Sequence, residues 1–501
     1  MSDMKKARKD RGYSHILKYT GLFGGVQGLN ILVGLIRNKL IAEILGPSGT
    51  GLISLFNSTI NLISNSTNLG IPVSAVKNIS EAFDNGREEE LHKIVSTVRL
   101  WSLLTAGVGF LLCALLSPLL DKWTFSWGNH TLHFVLLSPI VGMMAVTGGE
   151  MAILKGMRRL RPLAIISVYY VVAALVTSVP LYFFFGEAAI VPSLFIMALV
   201  QMLLTMAYSR KVAPFRLPWR GSRLGEGSGM VRLGIAFVMA GILGSGADFL
   251  IRSFLSNRSS LETVGLYSAG YMMVMTYVSM VFSALETDFF PRLSASNNLT
   301  TTANTIINRQ IEVSLLLIAP LLVFLTIFLP ILLPLLYSGK YSPVIGMMQI
   351  MVIAMYFRAI KLPIAYLPLA KGDSYSYLFL EAVYDVVLVV AVVLAFGQWG
   401  LTGCGVAITT AGILDFFIIL IYTRVKYGYR ISANVVRYAS IQLPFGILAF
   451  LVTFVDNPWG YWMMGTLLGV ASLAVSISIL RQKTTLWESL KQKWARRRAH
   501  E

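Results

Sequence analysis

Apolar runs of about 20 residues or more recur from one end of this 501-residue chain to the other, as in "SLLLIAPLLVFLTIFLPILLPLL" at 314–336. A helix rises 1.5 Å per residue, so a run of that length covers about 30 Å of hydrocarbon and reads as one membrane crossing. The composition agrees: 55% of residues are hydrophobic, 13% are charged, and the mean hydropathy is +0.69. No soluble domain of useful size fits between the runs. The expected fold class is an all-α integral membrane protein with about fourteen transmembrane helices. They fall near 14–45, 50–82, 93–119, 131–155, 161–186, 189–210, 229–257, 262–292, 304–337, 341–370, 374–396, 401–424, 433–455 and 459–480. The basic opening "MSDMKKARKDRGYSHILKYTG" lacks a cleavage site of small residues, so the first span is expected to be retained.

A net charge of +18 invites a nucleic-acid reading, but the placement of the charge argues otherwise. Lys and Arg crowd into alternate connections, among them "MKKARKDR", "KGMRRLR", "RKVAPFRLPWRGSR" and "RVKYGYR". The opposite connections hold only Lys122, Arg258 and Lys340. Basic residues stay cytoplasmic during insertion, so an even span count with both termini in the cytoplasm is expected. The charge reports topology, and no nucleic-acid partner is expected. The basic tail "KQKWARRR" suits anionic lipid headgroups, at about 1 kcal/mol per basic residue near the surface.

An internal repeat divides the spans. "LIR" at 35–37 precedes "GLIS" at 51–54, and "LIR" at 250–252 precedes "GLYS" at 265–268. "LKG" at 154–156 and "VYYVV" at 168–172 are echoed by "AKG" at 370–372 and "VYDVV" at 383–387. The order and near-constant spacing predict two pseudo-symmetric six-helix lobes, 1–215 and 216–425. Two extra helices and a basic tail follow over 426–501. Six is even, so both lobes enter the membrane from the same side, an arrangement in which transporters bind substrate between the halves and rock.

Charges inside spans cost about 2.5–3.5 kcal/mol each at the bilayer centre and need a reason. Lys18, Arg99 and Arg437 lie near cytoplasmic span ends, where long side chains can reach the headgroups. Arg37, Lys39, Lys77, Arg252, Arg358 and Lys361 remain. Gln27, Asn30, Gly34 and Arg37 form a polar stripe about 15 Å long on the first helix. Lys39 has Glu43 one turn on, whereas Arg37 has no acid at helical spacing. Asn57, Asn61, Ser64 and Asn68 repeat the stripe on the second helix, which ends in Lys77 and Glu81. Asp248 precedes Arg252 by one turn. Arg358 and Lys361 share a helix side with no acid three or four residues away. Asp385 and Asp415 either balance them or bind a coupling proton or sodium ion. A cavity lined by these cations with Asn and Gln between them suits a large anionic polar group, because Arg presents a planar fork to phosphate oxygens.

Several chemistries find no support in the sequence. "GPSGTG" lacks the following GK[ST] of a phosphate loop, and its Gly and Pro fit a tight bend. His130 and His133 have no third ligand nearby, so no metal is expected, and Cys113 and Cys404 lie far apart in apolar runs. No catalytic motif appears, so secondary transport is expected rather than catalysis, with no cofactor beyond a coupling H+ or Na+.

"GLIRNKLIAEILGPSGTGL", "NLGIPVSAVKNISEAFDNG", "AILKGMRRLRP", "VGLYSAGYMMV", "FFPRLSAS", "LLYSGKYSPVIGMMQIM" and "AKGDSYSYLFLEA" resemble, in order, segments of Wzx-type O-antigen and lipid III flippases. These belong to the multidrug/oligosaccharidyl-lipid/polysaccharide (MOP) exporter superfamily. The resemblance covers most of the chain to about residue 425 and implies a MATE-like fold around a cationic cavity. It implies flipping of an undecaprenyl-diphosphate-linked oligosaccharide, an O-antigen or related surface-polysaccharide unit, across the bacterial inner membrane. Membrane lipids and other polysaccharide-assembly proteins are the partners it implies, with the chain a monomer. By position, Lys39, Lys77 and Arg252 match basic residues of that family. Its twelve-span pattern lacks the two extra helices. The rivals are a multidrug antiporter of the same superfamily, expected to present acids to cationic drugs, and a membrane polysaccharide polymerase or glycosyltransferase.

Overall fold

Single left-handed glycines mark several of the bends in this protein. In the computed structural model, which describes residues 2–214, 224–286, 289–294 and 300–483, α1 (Ser2–Thr67) is one helical run broken at Gly46 (φ 66°, ψ −171°) and restarted by Pro47. An L side chain at that φ would crowd its own carbonyl, and proline is suited to a first helical turn. The "GPSG" bend therefore separates two segments. Gly186 (φ 58°) does the same between α5 (Leu160–Phe185) and the short 3₁₀ turn that leads into α6 (Ile190–Val212), as does Gly400 (φ 57°) inside α13 (Ser374–Tyr427).

All regular structure among the described residues is helical. Ten helical stretches there are long and apolar enough to cross a membrane, and two of them, of 53 and 54 residues, contain the Gly186 and Gly400 bends. The protein is a multi-pass membrane protein. α1, with its polar stripes, is not among the ten.

One expected span is corrected. The run 50–82 is not continuous: the helix ends at Thr67, Leu69 (φ 50°) and Gly70 (φ 70°) turn left-handed, and α2 (Ile71–Asp84) starts afresh. Pro72 is the cause, since it has no N–H to give and its ring would strike the carbonyl of Asn68 in a continuous helix. α2 buries Ile71, Ser74, Ala75, Ile79 and Ala82, leaving Val73, Lys77 and Glu81 outside. The expected span at 262–292 is likewise segmented, into α8 (Leu261–Tyr271), a π-helical stretch (Met272–Thr276), α9 (Tyr277–Glu286) and α10 (Phe289–Ser294).

The chain divides into two compact units, residues 1–265 with 335–338, and 266–334 with 339–501. The first therefore takes in α7 (Leu224–Arg258), which the sequence repeat assigns to the second half. Within it, small residues set close helix approach. Gly109 of α3 (Glu88–Thr124) meets Thr67 and Val141, and Gly156 of α4 (Thr131–Gly156) meets Ile79. Arg158 and Asp84, 2.6 Å apart, tie the end of α2 to the turn after α4.

In the second unit, Gly405 of α13 lies on the backbone of Met347 in α12 (Ile345–Ala370). Asp373 caps α13, and the ammonium of Lys426 beside it, with the Ser376 amide, holds its carboxyl well below the usual carboxylate range. The two C-terminal helices, α14 (Ala433–Val452) and α15 (Pro458–Lys483), are built onto this unit. Gly446 seats against the ring of Tyr356, while Gly465 and Gly469 seat against Ile327 and Phe324 of α11 (Thr300–Leu336). Buried Gln442 bonds Ser472 and Ser476, joining α14 to α15. The tail "KQKWARRR", and the connection at 215–223, lie outside the described residues.

Gly469→Leu would drive a side chain into Phe324 and should destabilise the detergent-solubilised protein by about 1–3 kcal/mol, seen as a lower Tm. Gly107→Leu, at a position with nothing within 4 Å, should leave Tm nearly unchanged.

Candidate functional site: charged and polar groups inside the helices

Arg37 is held by neutral groups rather than by a carboxylate. Its Nε donates to Ser178 Oγ at 3.0 Å and its Nη2 approaches Met197 Sδ at 3.2 Å, so α5 and α6 hold the guanidinium with neutral groups. Tyr170 and Tyr182 of α5 lie within its electrostatic reach. No carboxylate among the described residues forms an ion pair with it. One turn-pair earlier on the same stripe, Asn30 Nδ2 donates to Ser167 Oγ at 2.5 Å, and its buried Oδ1 has no partner. The side chain of Gln27 lies outside the described residues.

The second stripe divides in two. Asn57 and Asn61 are exposed, one turn apart on the second segment of α1. Asn68 is spent on the helix break: its Oδ1 accepts the Gly70 amide at 2.8 Å. A cavity of about 120 Å³ beside it is lined by Asn65, Asn68, Gly70, Pro72, Val73, Val238 and Gly241.

Four of the five other expected cations carry carboxylates. Lys39 pairs with Glu43 at 2.8 Å, so local neutralisation holds there. Lys77 faces Glu81 at 3.9 Å with both side chains exposed, a pair worth little in water. Arg252 pairs with Asp248 and donates from Nε to Ser54 Oγ at 2.6 Å. Lys361 has no acid at helical spacing, but across helices it pairs with buried Asp415 of α13, one of the two acids expected either to balance it or to bind a coupling ion, and it lies 4.8 Å from the Tyr384 ring centroid. Arg358 touches Met275 Sδ at 3.7 Å and makes no ion pair among the described residues, though Asp415 and Glu381 are within its electrostatic reach. Asp385 lies near Lys361 and one turn beyond Glu381. The second unit thus gathers two cations and three carboxylates. Glu381 went unread in the sequence, although its four-residue spacing from Asp385 marks it.

A second correction concerns Arg99, expected to reach the headgroups. It is 4% exposed, grips Glu150 of α4 through Nε and Nη2 at 2.8 and 3.1 Å, and donates to the carbonyls of Ala213 and Pro214. Ser209 completes the network by donating to Glu150 at 2.5 Å. This pair binds α3, α4 and the end of α6, and its signal was Glu150, an acid inside an apolar run. At the far end of α3, the His130 and His133 rings are 5.4 Å apart, and Asp121 accepts the His130 amide and the Thr131 hydroxyl. No group of three metal-ligating side chains occurs among the described residues.

The profile of a family described as polysaccharide biosynthesis protein matches residues 16–297, more than half of the chain. The chain belongs to that family. No curated protein matches the family member in sequence. Its fold is shared with solved transporters. The lipid II flippase MurJ in an inward closed conformation superposes with a TM-score of 0.73 at 14% identity, covering 92% of this chain and 99% of that one. An inward-facing multidrug-resistance MATE transporter of the MOP superfamily gives 0.68 at 14% identity over 80% and 94%. A MOP-superfamily transporter from Pyrococcus furiosus, described as having a binding pocket of reversed polarity, gives 0.52 at 12% identity over 81% and 93%. These structural neighbours are transporters and a flippase, not enzymes.

Removing one member of the Arg99–Glu150 pair strands the other charge in a buried site. Glu150→Gln or Arg99→Met should therefore cost about 3–5 kcal/mol of stability and deplete folded protein. The double variant Arg99→Met/Glu150→Leu should recover much of the loss, measured by thermal melting in detergent.

Proposed function

We propose that this polysaccharide-biosynthesis family member is a flippase for an undecaprenyl-diphosphate-linked oligosaccharide, moving it from the cytoplasmic to the periplasmic leaflet of a bacterial inner membrane. Arg37 is the observation that carries the reading: a guanidinium inside a helix that the sequence expects to lie in the membrane, held by Ser178 and Met197, with no ion pair among the described residues. Such a group is costly unless an anion occupies it for part of the cycle, and a diphosphate supplies the charge and the fork-matching oxygens. Arg358 is the corresponding candidate in the second unit. Exposed Asn57 and Asn61, with Asn30, offer amides to sugar hydroxyls, whereas Asn68 contributes through the helix break it caps. Lys39, Lys77, Arg252 and Lys361 serve as secondary contacts, each gaining the phosphate only by loosening its own carboxylate. The polyprenyl tail stays in lipid. Each negative charge carried outward is favoured by about 2.3 kcal/mol per 100 mV of inside-negative potential.

The carboxylate group of the second unit favours one further reading of energetics. Three acids stand against two cations, a formal excess of one carboxylate that supports exchange of a proton or sodium ion at Asp385 and Asp415, joined by Glu381, during the cycle. The same acids are what a cation antiporter would use, so the rival is tested directly.

Arg37→Ala should reduce flipping of the lipid-linked oligosaccharide about ten- to a hundredfold, the loss of a charge-assisted hydrogen bond or two. Arg37→Lys should restore only part. The measurement is surface polysaccharide against lipid-linked precursor retained in the cytoplasmic leaflet, with folded protein quantified; unchanged flipping would refute the cationic site. Asp385→Asn should remove any dependence of transport on a proton or sodium gradient in proteoliposomes while leaving the response to membrane potential. Drug resistance conferred by the wild-type chain and lost in this variant would favour the antiporter.

A further inference from the structure

The two repeats carry "GLIS" at 51–54 and "GLYS" at 265–268, and each motif follows the start of a helical segment by four residues: Pro47 before Gly51, Leu261 before Gly265. In the structure these four residues meet reciprocally. A Cβ built on Gly51 would stand 2.1 Å from the carbonyl oxygen of Leu261 and 3.0 Å from the amide nitrogen of Gly265. A Cβ built on Gly265 would stand 1.8 Å from the carbonyl oxygen of Pro47 and 2.9 Å from Thr50 Oγ1. Each glycine thus covers the carbonyl four residues before its repeat partner, the self-complementary pattern of a two-fold contact. Both glycines are buried. Neither has a left-handed φ, so close approach, not backbone conformation, is what excludes a side chain.

The contact lies just after the Gly46 bend and just after the α7–α8 turn, the connections that the charge pattern assigns to the extracytoplasmic side. The hydrogen bond from Arg252 to Ser54, three residues beyond Gly51, continues it inward. At these points backbone lies against backbone, with the Thr50 hydroxyl beside Gly265, and closing such a contact gains many weak dispersion and Cα–H···O contacts at once.

We propose that the reciprocal Gly51–Gly265 seam is the closing contact of the extracytoplasmic side, shut in this structure and parted when the site is presented outward. The inference rests on the transport reading, but its first test does not use transport. Spin labels at Ser48→Cys and Glu262→Cys, beside the seam, should report one short distance in lipid nanodiscs; native Cys113 and Cys404 are buried. Gly51→Ala and Gly265→Ala should each shift the population toward a longer distance by about tenfold, the two acting in the same direction. The double variant should add less than the product, because one methyl already opens the seam. Gly107→Ala, in open space, should change nothing. An unaltered short distance in folded Gly51→Ala and Gly265→Ala protein would overturn the proposal.

Should the glycine variants fail to fold, the wild-type glycines serve. A short bismaleimide joining Ser48→Cys to Glu262→Cys should arrest flipping, while either single-cysteine protein treated the same way keeps its rate. Flipping at the full rate with the bridge in place would overturn the seam. Absence of flipping in the unbridged proteins would instead count against the transport reading.

Discussion

Hydrocarbon supplies no water to a charge or a backbone amide, so every polar group carried into it must find its partner within the protein or on a ligand. That constraint sorts the ionisable groups of this chain. Arg99 meets Glu150, Lys361 meets Asp415 and Arg252 meets Asp248, each drawing a carboxylate from within its own compact unit. Breaks in the helical ladder obey the same rule. The amide of Gly70, released where α1 ends, is taken by Asn68, and Ser74 bonds back to the Gly70 carbonyl through both its amide and its hydroxyl.

Against that background the exceptions carry information. Arg37 has a serine and a thioether where Arg99, Arg252 and Lys361 have acids, and Asn57 and Asn61 are exposed along a stretch expected to lie in the membrane. Groups of this kind persist only if water or a polar solute reaches them. The shared fold with a lipid II flippase and with multidrug exporters establishes the scaffold and leaves the ligand open, because identities of 12–14% fix architecture alone. The family match adds the polysaccharide context. In the proposed reading Arg37 joins the two.

Much of the scaffold was legible because hydropathy and glycine act locally. The apolar runs gave most helices to within a few residues, and "GPSG" announced its own bend. The break at 68–70 was missed because Pro72 sits only two residues after the left-handed glycine, inside a run whose periodicity continues across it. Charge pairing was legible only at one helical turn. Lys39 with Glu43 and Arg252 with Asp248 could be read from spacing, whereas Arg99 with Glu150 and Lys361 with Asp415 join residues on different helices, where periodicity says nothing. For the same reason spacing left open whether Asp385 and Asp415 balance Arg358 and Lys361, and folding brings Asp415 to Lys361. Arg37 was read as lacking a local acid, and among the described residues folding brings no carboxylate into an ion pair with it.

The sequence repeat shows how one motif came to hold two chemistries. Arg37 and Arg252 close the same "LIR" triplet, yet the residue one turn earlier is Val33 in the first copy and Asp248 in the second. That single difference converts a guanidinium held by neutral groups into half of an ion pair that also reaches Ser54. A charge neutralised by its own helix is available for tying α7 to α1, since the pair stays satisfied while the helices hold together. A charge without such an acid contributes little to packing that a neutral residue would not, and burying it costs more. The repeat therefore keeps its backbone geometry, down to the reciprocal glycines, while the two arginines diverge, one paired with an acid on its own helix and the other held by neutral groups.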